Sequence, residues 1–261
     1  MMIDREVAEI DLLGARLSLV AGDELVRNVV DEASRAGSGY VCVANVHQVT
    51  EAWRSESFRQ TLQDARWVST DSRVLEVALG ALGHPYSSDV TYGAEIFEDI
   101  CAAASEAGMK VGLFGGAPRV VAELARILTA KYEPLQLCFV NSPDFGTAAE
   151  LASDATVELV NASGVQILLV GLGCPKQERW MQLVSSRVHC MMVGVGAAFD
   201  FYAGEKRSAP AWVRRAGLDW LWRLASEPRR LWRRYLIGNS LFLARVVPVI
   251  VARRLRPLFR S

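Results

Sequence analysis

The sequence predicts an α/β protein: a Rossmann-like parallel sheet with helices on both faces, followed by a C-terminal helical appendage rich in Arg and Trp. Three observations carry this. Short continuous apolar runs recur at 40–44, 111–114, 135–140, 166–170 and 190–195, as expected of strands buried on both faces. Most are followed by a helix-length segment, the alternation that builds a parallel sheet. The composition breaks once, near residues 204–212, and from residue 212 onward every basic residue is Arg. The expected division is an α/β body over 1–205 and a basic amphipathic appendage over 206–261.

The elements follow in order. Residues 40–44 (YVCVA) form a short β-branched run that leads into a polar helical stretch from about Val46 to Asp64. The WVST run at 67–70 ends at Asp71. Residues 111–114 (VGLF) run into Gly115 and Gly116, and a helix begins near Pro118 with Val121, Leu124, Ala125 and Leu128 at helical spacing. Gly before the start and Pro in the first turn are ordinary helix-start signals. A strand at 135–140, a helix at 147–162, a strand at 166–170, a helix from about Pro175 to Arg187 and a strand at 190–195 complete the body. In the appendage, Leu218, Leu221, Trp222, Leu224 and Ala225 share one helical face, with Trp220 and Arg223 beside it. After Pro228 the pattern repeats with Leu231, Trp232, Tyr235 and Leu236, and Arg229, Arg230, Arg233 and Arg234 are expected opposite. Such a helix either lies at a membrane interface or packs its apolar face on the body. The final VVPVIVARRLRPLFR segment favours membrane contact.

With 261 residues, 51% hydrophobic and 22% charged, the chain is neither disordered, collagenous nor a coiled coil. A domain of this size buries roughly 70–75% of the surface its unfolded chain exposes. The formal charge of zero conceals a polarity: residues 1–211 hold 17 Lys+Arg and 27 Asp+Glu, a net of −10. Residues 212–261 hold 12 Arg against Asp219 and Glu227, a net of +10. That tail calls for an anionic partner, which is a membrane surface, nucleic acid, phosphates or the acidic body of its own chain. The five cysteines (Cys42, Cys101, Cys138, Cys174, Cys190) form no CxxC pair, and three fall in strand-like runs as small core residues. A reducing cytoplasm fits this usage. The N-terminus is too acidic for a signal peptide. No run reaches the roughly 18 uninterrupted apolar residues of a spanning helix. Leu236–Ala252 comes nearest and is broken by Asn239, Arg245 and Pro248, so the expectation is a chain that lies on a membrane without crossing it.

In doubly wound folds ligands bind beyond the carboxyl ends of the strands. The residues at those positions are Asn45, Asp71, Gly115–Gly116, the segment GLGCPKQERW (171–180) and the segment GVGAAFDF (194–201). Glycine turns that feed helices present backbone N–H groups and a positive helix end, which suits a diphosphate. Gly115, Gly116, Gly171, Gly173 and Gly196 are the candidates, with Pro175 in the same turn. Neither a full GxGxxG nor a P-loop is present, which weakens dinucleotide binding and excludes P-loop chemistry. Asp71 is either the cap of the following helix or a general base for a hydroxyl nucleophile. Asp200, between two phenylalanines, must bond to something and is expected to orient its loop. Gln177 has the reach for a sugar or base, whereas Glu178 is either a first-turn charge or a substrate contact. The histidines His47, His84 and His189 show no metal-ligand spacing, and no DxD pair is present. The expectation is a reaction without metal or cofactor.

Asn45, Asp71, LFGG (113–116), GLGCPKQERW (171–180), GVGAAFDFYAG (194–204), AP-W (209–212) and GLDWLWRL-EPRR (217–230) together resemble the WecG/TagA/CpsF family of bacterial glycosyltransferases. The resemblance runs in order from about residue 40 to 235. It implies an inverting, metal-independent enzyme that moves a sugar from a UDP-sugar to an undecaprenyl-diphosphate-linked sugar at the inner face of the cytoplasmic membrane. It implies Asp71 as catalytic base with Asn45 beside it, Gln177 as a substrate contact, and Arg223 with Arg229 or Arg230 completing the site. On this reading nucleic acid is not a partner. Four departures stand out: Ser72 and Val43 replace the family's Gly and Thr, residues 89–95 lose an Arg, and Arg207 sits one place early. They surround the presumed sugar pocket and leave open whether the donor is N-acetylmannosamine, its uronic acid, glucose or another sugar. A non-catalytic nucleotide-sugar-binding scaffold of a polysaccharide assembly complex is the alternative. The Trp- and Leu-rich appendage could also bury itself against a second copy of the chain.

Overall fold

The computed structural model describes residues 7–20, 22–84 and 93–255. The positions 89–92 singled out above lie outside the described residues. An antiparallel hairpin of β1 (Glu9–Leu12) and β2 (Ala15–Ser18) opens the chain. Its two turn residues, Leu13 and Gly14, are both left-handed, at φ 56° and 85°, which matches the twist a two-residue hairpin needs.

The body is a six-stranded, wholly parallel sheet. Its strands are β3 (Gly39–Ala44), β4 (Trp67–Thr70), β5 (Lys110–Gly115), β6 (Gln136–Asn141), β7 (Ile167–Gly171) and β8 (Met191–Gly194), in the order β4-β3-β8-β7-β5-β6. The chain first builds the two margins, then inserts β7 and β8 between them. β8 therefore pairs with β3, and the carboxyl ends of β4, β3 and β8 lie side by side.

Side chains alternate between two cores, which is why these strands read as continuous apolar runs. Tyr40, Cys42, Phe114, Leu168, Val170 and Met192 face one layer. Val41, Val43, Leu113, Ile167, Leu169 and Val193 face the other. The first layer holds helices Val46–Arg54, Glu56–Gln63, Arg73–Ala81, Asp154–Ala162 and Lys176–Val184. The second holds Gly22–Ser34, Gly93–Glu106 and Pro118–Lys131.

The differences from expectation are local. The stretch from Val46 to Asp64 is two helices, because Ser55 ends the first and caps the second, its Oγ accepting from the Phe58 N–H at 3.3 Å. The expected helix at 147–162 divides at Ser153 in the same way. Cys42 and Cys190 are buried, but Cys138 is exposed because β6 is an edge strand.

The C-terminal region departs most. Helices Ala211–Arg215 and Asp219–Ser226 lead into a continuous helix over Pro228–Arg253 that contains a π-helical turn at Arg233–Ile237. Pro248 lies inside this helix without ending it. The helix is long and apolar enough to cross a membrane by length and composition, despite its interrupted apolar run. One side docks on the body through Phe242 and Val246, each 2% exposed. The expected opposition of Arg and apolar faces does not hold. Arg230 and Arg234, one turn apart, face a cavity against the sheet, whereas Trp232, Leu236, Leu243 and Val247 are exposed.

Trp180 anchors the first core. It is fully buried, stacks on Phe114 with ring centroids 4.3 Å apart, and donates its indole N–H to the Leu151 carbonyl. Replacing Trp180 with Ala is expected to lower the unfolding free energy by about 3–5 kcal/mol, measured by urea denaturation.

Candidate active site

A cavity of about 620 Å³ lies between the carboxyl edge of β3, β4 and β8 and the helices of the C-terminal region. Asp71, Asn45, Gly173, Gln177, Gly196, Arg223 and Arg230, all singled out from the sequence, line it.

Asp71 is the first residue beyond β4, and its N–H donates to the Ala44 carbonyl at 3.0 Å, continuing the sheet by one bond. It does not cap the following helix: Ser72 holds the cap position. The carboxyl group faces the cavity and is supported by the Gly93 N–H. Burial pushes its pKa up to about 7, with Asp219 adding to the rise while Arg223 and Arg234 oppose it. A carboxylate titrating there is matched to general-base work near neutral pH. A second, small cavity of about 40 Å³ adjoins this wall and is lined by Asp71, His47, Asp219 and Arg223 among others. Burial holds the His47 pKa down at about 4, and the nearby charges of Arg234 and Arg54 add to the effect. His47 is therefore neutral at pH 7.

Asn45 caps the Val46–Arg54 helix. Its Oδ1 accepts from the His47 N–H at 3.0 Å and from Arg234 Nη2 at 3.3 Å. The Arg234 Nε, also buried, hydrogen-bonds to nothing among the described residues. Arg223 lies 4.9 Å over the Phe201 ring. Lys206 pairs with Asp200 at 2.7 Å and Glu227 at 3.5 Å, and Arg230 grips Glu227 with two hydrogen bonds of 2.5 and 2.8 Å. Asp200 thus orients a lysine into the cavity rather than lining it. Arg229 is exposed and stands away from the cavity, and Arg234 takes the place expected for it.

Three glycines expected to cradle a diphosphate serve packing instead. A Cβ on Gly171 would sit 2.4 Å from the Phe199 ring, and one on Gly115 would sit 2.7 Å from the Gly171 backbone. The Gly116 N–H is committed to the Gly171 carbonyl at 3.1 Å. Gly115, Gly116 and Gly171 do not line the cavity. Pro175 precedes the Lys176–Val184 helix outside it. Glu178 is fully buried behind the wall and accepts from Gln177 and Gln48; burial raises its pKa while the two amides and Arg234 pull it back.

Gln48, Lys206, Arg234, Trp222 and Tyr235 also line the cavity and were not singled out. Two signals for them were present in the sequence. Asn45-x-x-Gln48 has the spacing of a capping box, and both of its bonds form. Arg230 and Arg234 stand at i and i+4, on one side of a helix. Among the described residues no three of His, Cys, Asp and Glu come together to hold a metal ion.

A carboxylate poised near neutrality, facing guanidinium groups across an open cavity, has the chemistry for base-assisted transfer on an anionic substrate. Residues 10–256 match the model of the glycosyl transferase WecG/TagA/CpsF family, nearly the whole chain. The protein belongs to that family and is a glycosyltransferase.

A folded-state pKa raised above the unfolded value makes Asp71 a liability at high pH: its carboxyl form is comfortable in the site, its carboxylate is not. Stability from this group is full below pH 4 and is lost as the pH rises through about 7. The Asp71→Asn variant is expected to melt above the wild type at pH 8, with the difference shrinking toward pH 5, as read by differential scanning calorimetry.

Proposed function

We propose that the enzyme transfers a hexose, with inversion and without a metal, from a UDP-sugar to a polyprenyl-diphosphate-linked sugar in bacterial cell-surface polysaccharide synthesis. The observation that carries this reading is Asp71, a carboxyl group with pKa about 7 placed opposite Arg223 and Arg234. In a single displacement the acceptor hydroxyl oxygen attacks the anomeric carbon. The bond from that carbon to the UDP oxygen breaks, and Asp71 takes the hydroxyl proton. The negative charge gained by UDP is met by Arg223, Arg230, Arg234 and Lys206. Planar guanidinium forks suit a diphosphate better than ammonium groups do. Glu227 pairs with Arg230 and Lys206 and gives them up to the incoming anion.

Residues 206–261 then have two tasks. Their inward cations complete the site, while Trp232, Leu236, Leu243 and Val247 face outward beside the exposed Arg229 and Arg233. An apolar stripe edged by Arg suits the anionic inner leaflet of the cytoplasmic membrane, where the lipid-linked acceptor is found.

The test is UDP release from a panel of UDP-sugars with a short polyprenyl-diphosphate-sugar acceptor and no divalent metal. Release is expected to require the acceptor, and Asp71→Asn is expected to lower kcat by about 10²–10⁴. The acid limb of kcat/KM is expected near pH 7, and Arg223→Ala moves it to higher pH, because the guanidinium holds the Asp71 pKa down. Donor binding without release across a broad acceptor panel would identify a scaffold instead. In flotation assays with anionic vesicles, Leu243→Glu with Val247→Glu is expected to reduce binding at least about tenfold and leave the melting temperature unchanged.

A further inference from the structure

The cavity carries a second set of polar groups, remote in character from its cations. Gln48 and Gln177 both line it, yet are 1% and 3% exposed as residues. They come from different helices and converge on one atom: Gln48 Nε2 donates to Glu178 Oε1 at 2.7 Å, and Gln177 Nε2 donates to the same oxygen at 2.9 Å. Their carbonyl oxygens are committed as well. Gln48 Oε1 accepts from the Asn45 N–H at 2.7 Å and Gln177 Oε1 from the Gly173 N–H at 3.1 Å. A backbone donor at one end and a carboxyl oxygen at the other leave each amide only one orientation. Each Nε2 carries a second hydrogen, and the described residues offer neither one a further protein acceptor.

The room for this arrangement is made by glycine. A Cβ at Gly194 would come within 2.9 Å of Gln177 Nε2, and one at Gly196 within 3.3 Å of its Oε1. The Gln177 amide therefore lies on the open ends of β8. An acidic group directly behind paired neutral donors also disfavours an anion in front of them. The diphosphate belongs with the cations, and the amides are left to an uncharged acceptor oxygen.

We infer that Glu178 is a positioning residue that fixes Gln48 and Gln177 as a pair of hydrogen-bond donors to an oxygen of the sugar carried by one of the two substrates. This rests on the UDP-sugar reading above. Glu178 touches no substrate and acts only through the two amides. Gln48 is thereby assigned to sugar recognition alongside Gln177.

Two substitutions at position 178 separate the role from simple packing. Glu178→Leu removes the acceptor and frees both amides to turn. Glu178→Gln keeps a carbonyl oxygen for both Nε2 groups, with its own NH2 taking the place of Oε2, which bonds to neither glutamine. With the UDP-sugar selected by the panel, Glu178→Leu is expected to raise the KM of either the donor or the acceptor about tenfold, as loss of two neutral hydrogen bonds would. kcat changes less than about threefold, the pattern of lost uniform binding, and Glu178→Gln restores the KM. The dissociation constant of UDP alone, by titration calorimetry, is expected to stay within about twofold. Should Glu178→Leu fail to fold, Gln48→Met is expected to raise the same KM. Unchanged KM values for both substrates in a folded Glu178→Leu or Gln48→Met enzyme that still binds UDP would overturn the inference alone. Equal loss in Glu178→Leu and Glu178→Gln would overturn it too, since the role would then lie in the charge. Failure of the wild type to bind UDP or any UDP-sugar would remove the underlying reading as well.

Discussion

A carboxyl group buried at the edge of a parallel sheet must be held against cations, and this chain draws them from its far end. Asp71 is fixed by backbone pairing with β3, while the charges that favour its ionised form, Arg223 and Arg234, sit on the C-terminal helices. Those helices in turn depend on Phe242 and Val246, which sink into the core formed by the sheet and its first helical layer. The hydrogen bond from Arg234 to Asn45 ties the same helix to the residue that caps Val46–Arg54. The cavity therefore exists only when the sheet and the C-terminal helices are folded together, and the core is what unites them.

The charge polarity of the sequence resolves into three uses. Part of it is internal: Arg214 pairs with Glu95 of the body at 2.6 Å. Another part, Arg230 and Arg234 with Arg223, lines the cavity. Others, including Arg229 and Arg233, are exposed. The apolar residues fall on both sides, with Leu231, Phe242 and Val246 inward and Trp232, Leu236, Leu243 and Val247 outward. An ordinary surface helix turns its charges to water, and this one turns several of them to a cavity.

The strands of the body were legible because burial on both faces leaves an unbroken apolar run, as in Ile167–Gly171. The hairpin β1–β2 was not, since four-residue strands around Leu13-Gly14 alternate too briefly to stand out. Helices Gly22–Ser34 and Gly93–Glu106 went unread although each buries a helical stripe. Asp71 and Gln177 could be placed because a strand end is a fixed point of the fold. The glycines could not be sorted, because Gly171 is required by the Phe199 ring and Gly196 by the Gln177 side chain. One-dimensional spacing does not tell a glycine that admits a neighbouring side chain from one that admits a ligand. The i, i+4 spacing puts Arg230 and Arg234 on one side of the helix, but that this side meets the cavity is set by the anchoring of Phe242, which local periodicity does not encode.

The site also reconciles two demands that oppose each other. On the proposed reading a departing diphosphate needs positive charge nearby, yet each added cation lowers the pKa of the neighbouring carboxyl group and weakens it as a base. Burial answers part of this by raising the Asp71 pKa, and Asp219 adds to the rise from within the same cationic segment. Glu227 pairs with both Arg230 and Lys206 on the cavity wall. The pKa of about 7 at Asp71 is the balance of these opposing influences, with burial and Asp219 on one side and Arg223 and Arg234 on the other.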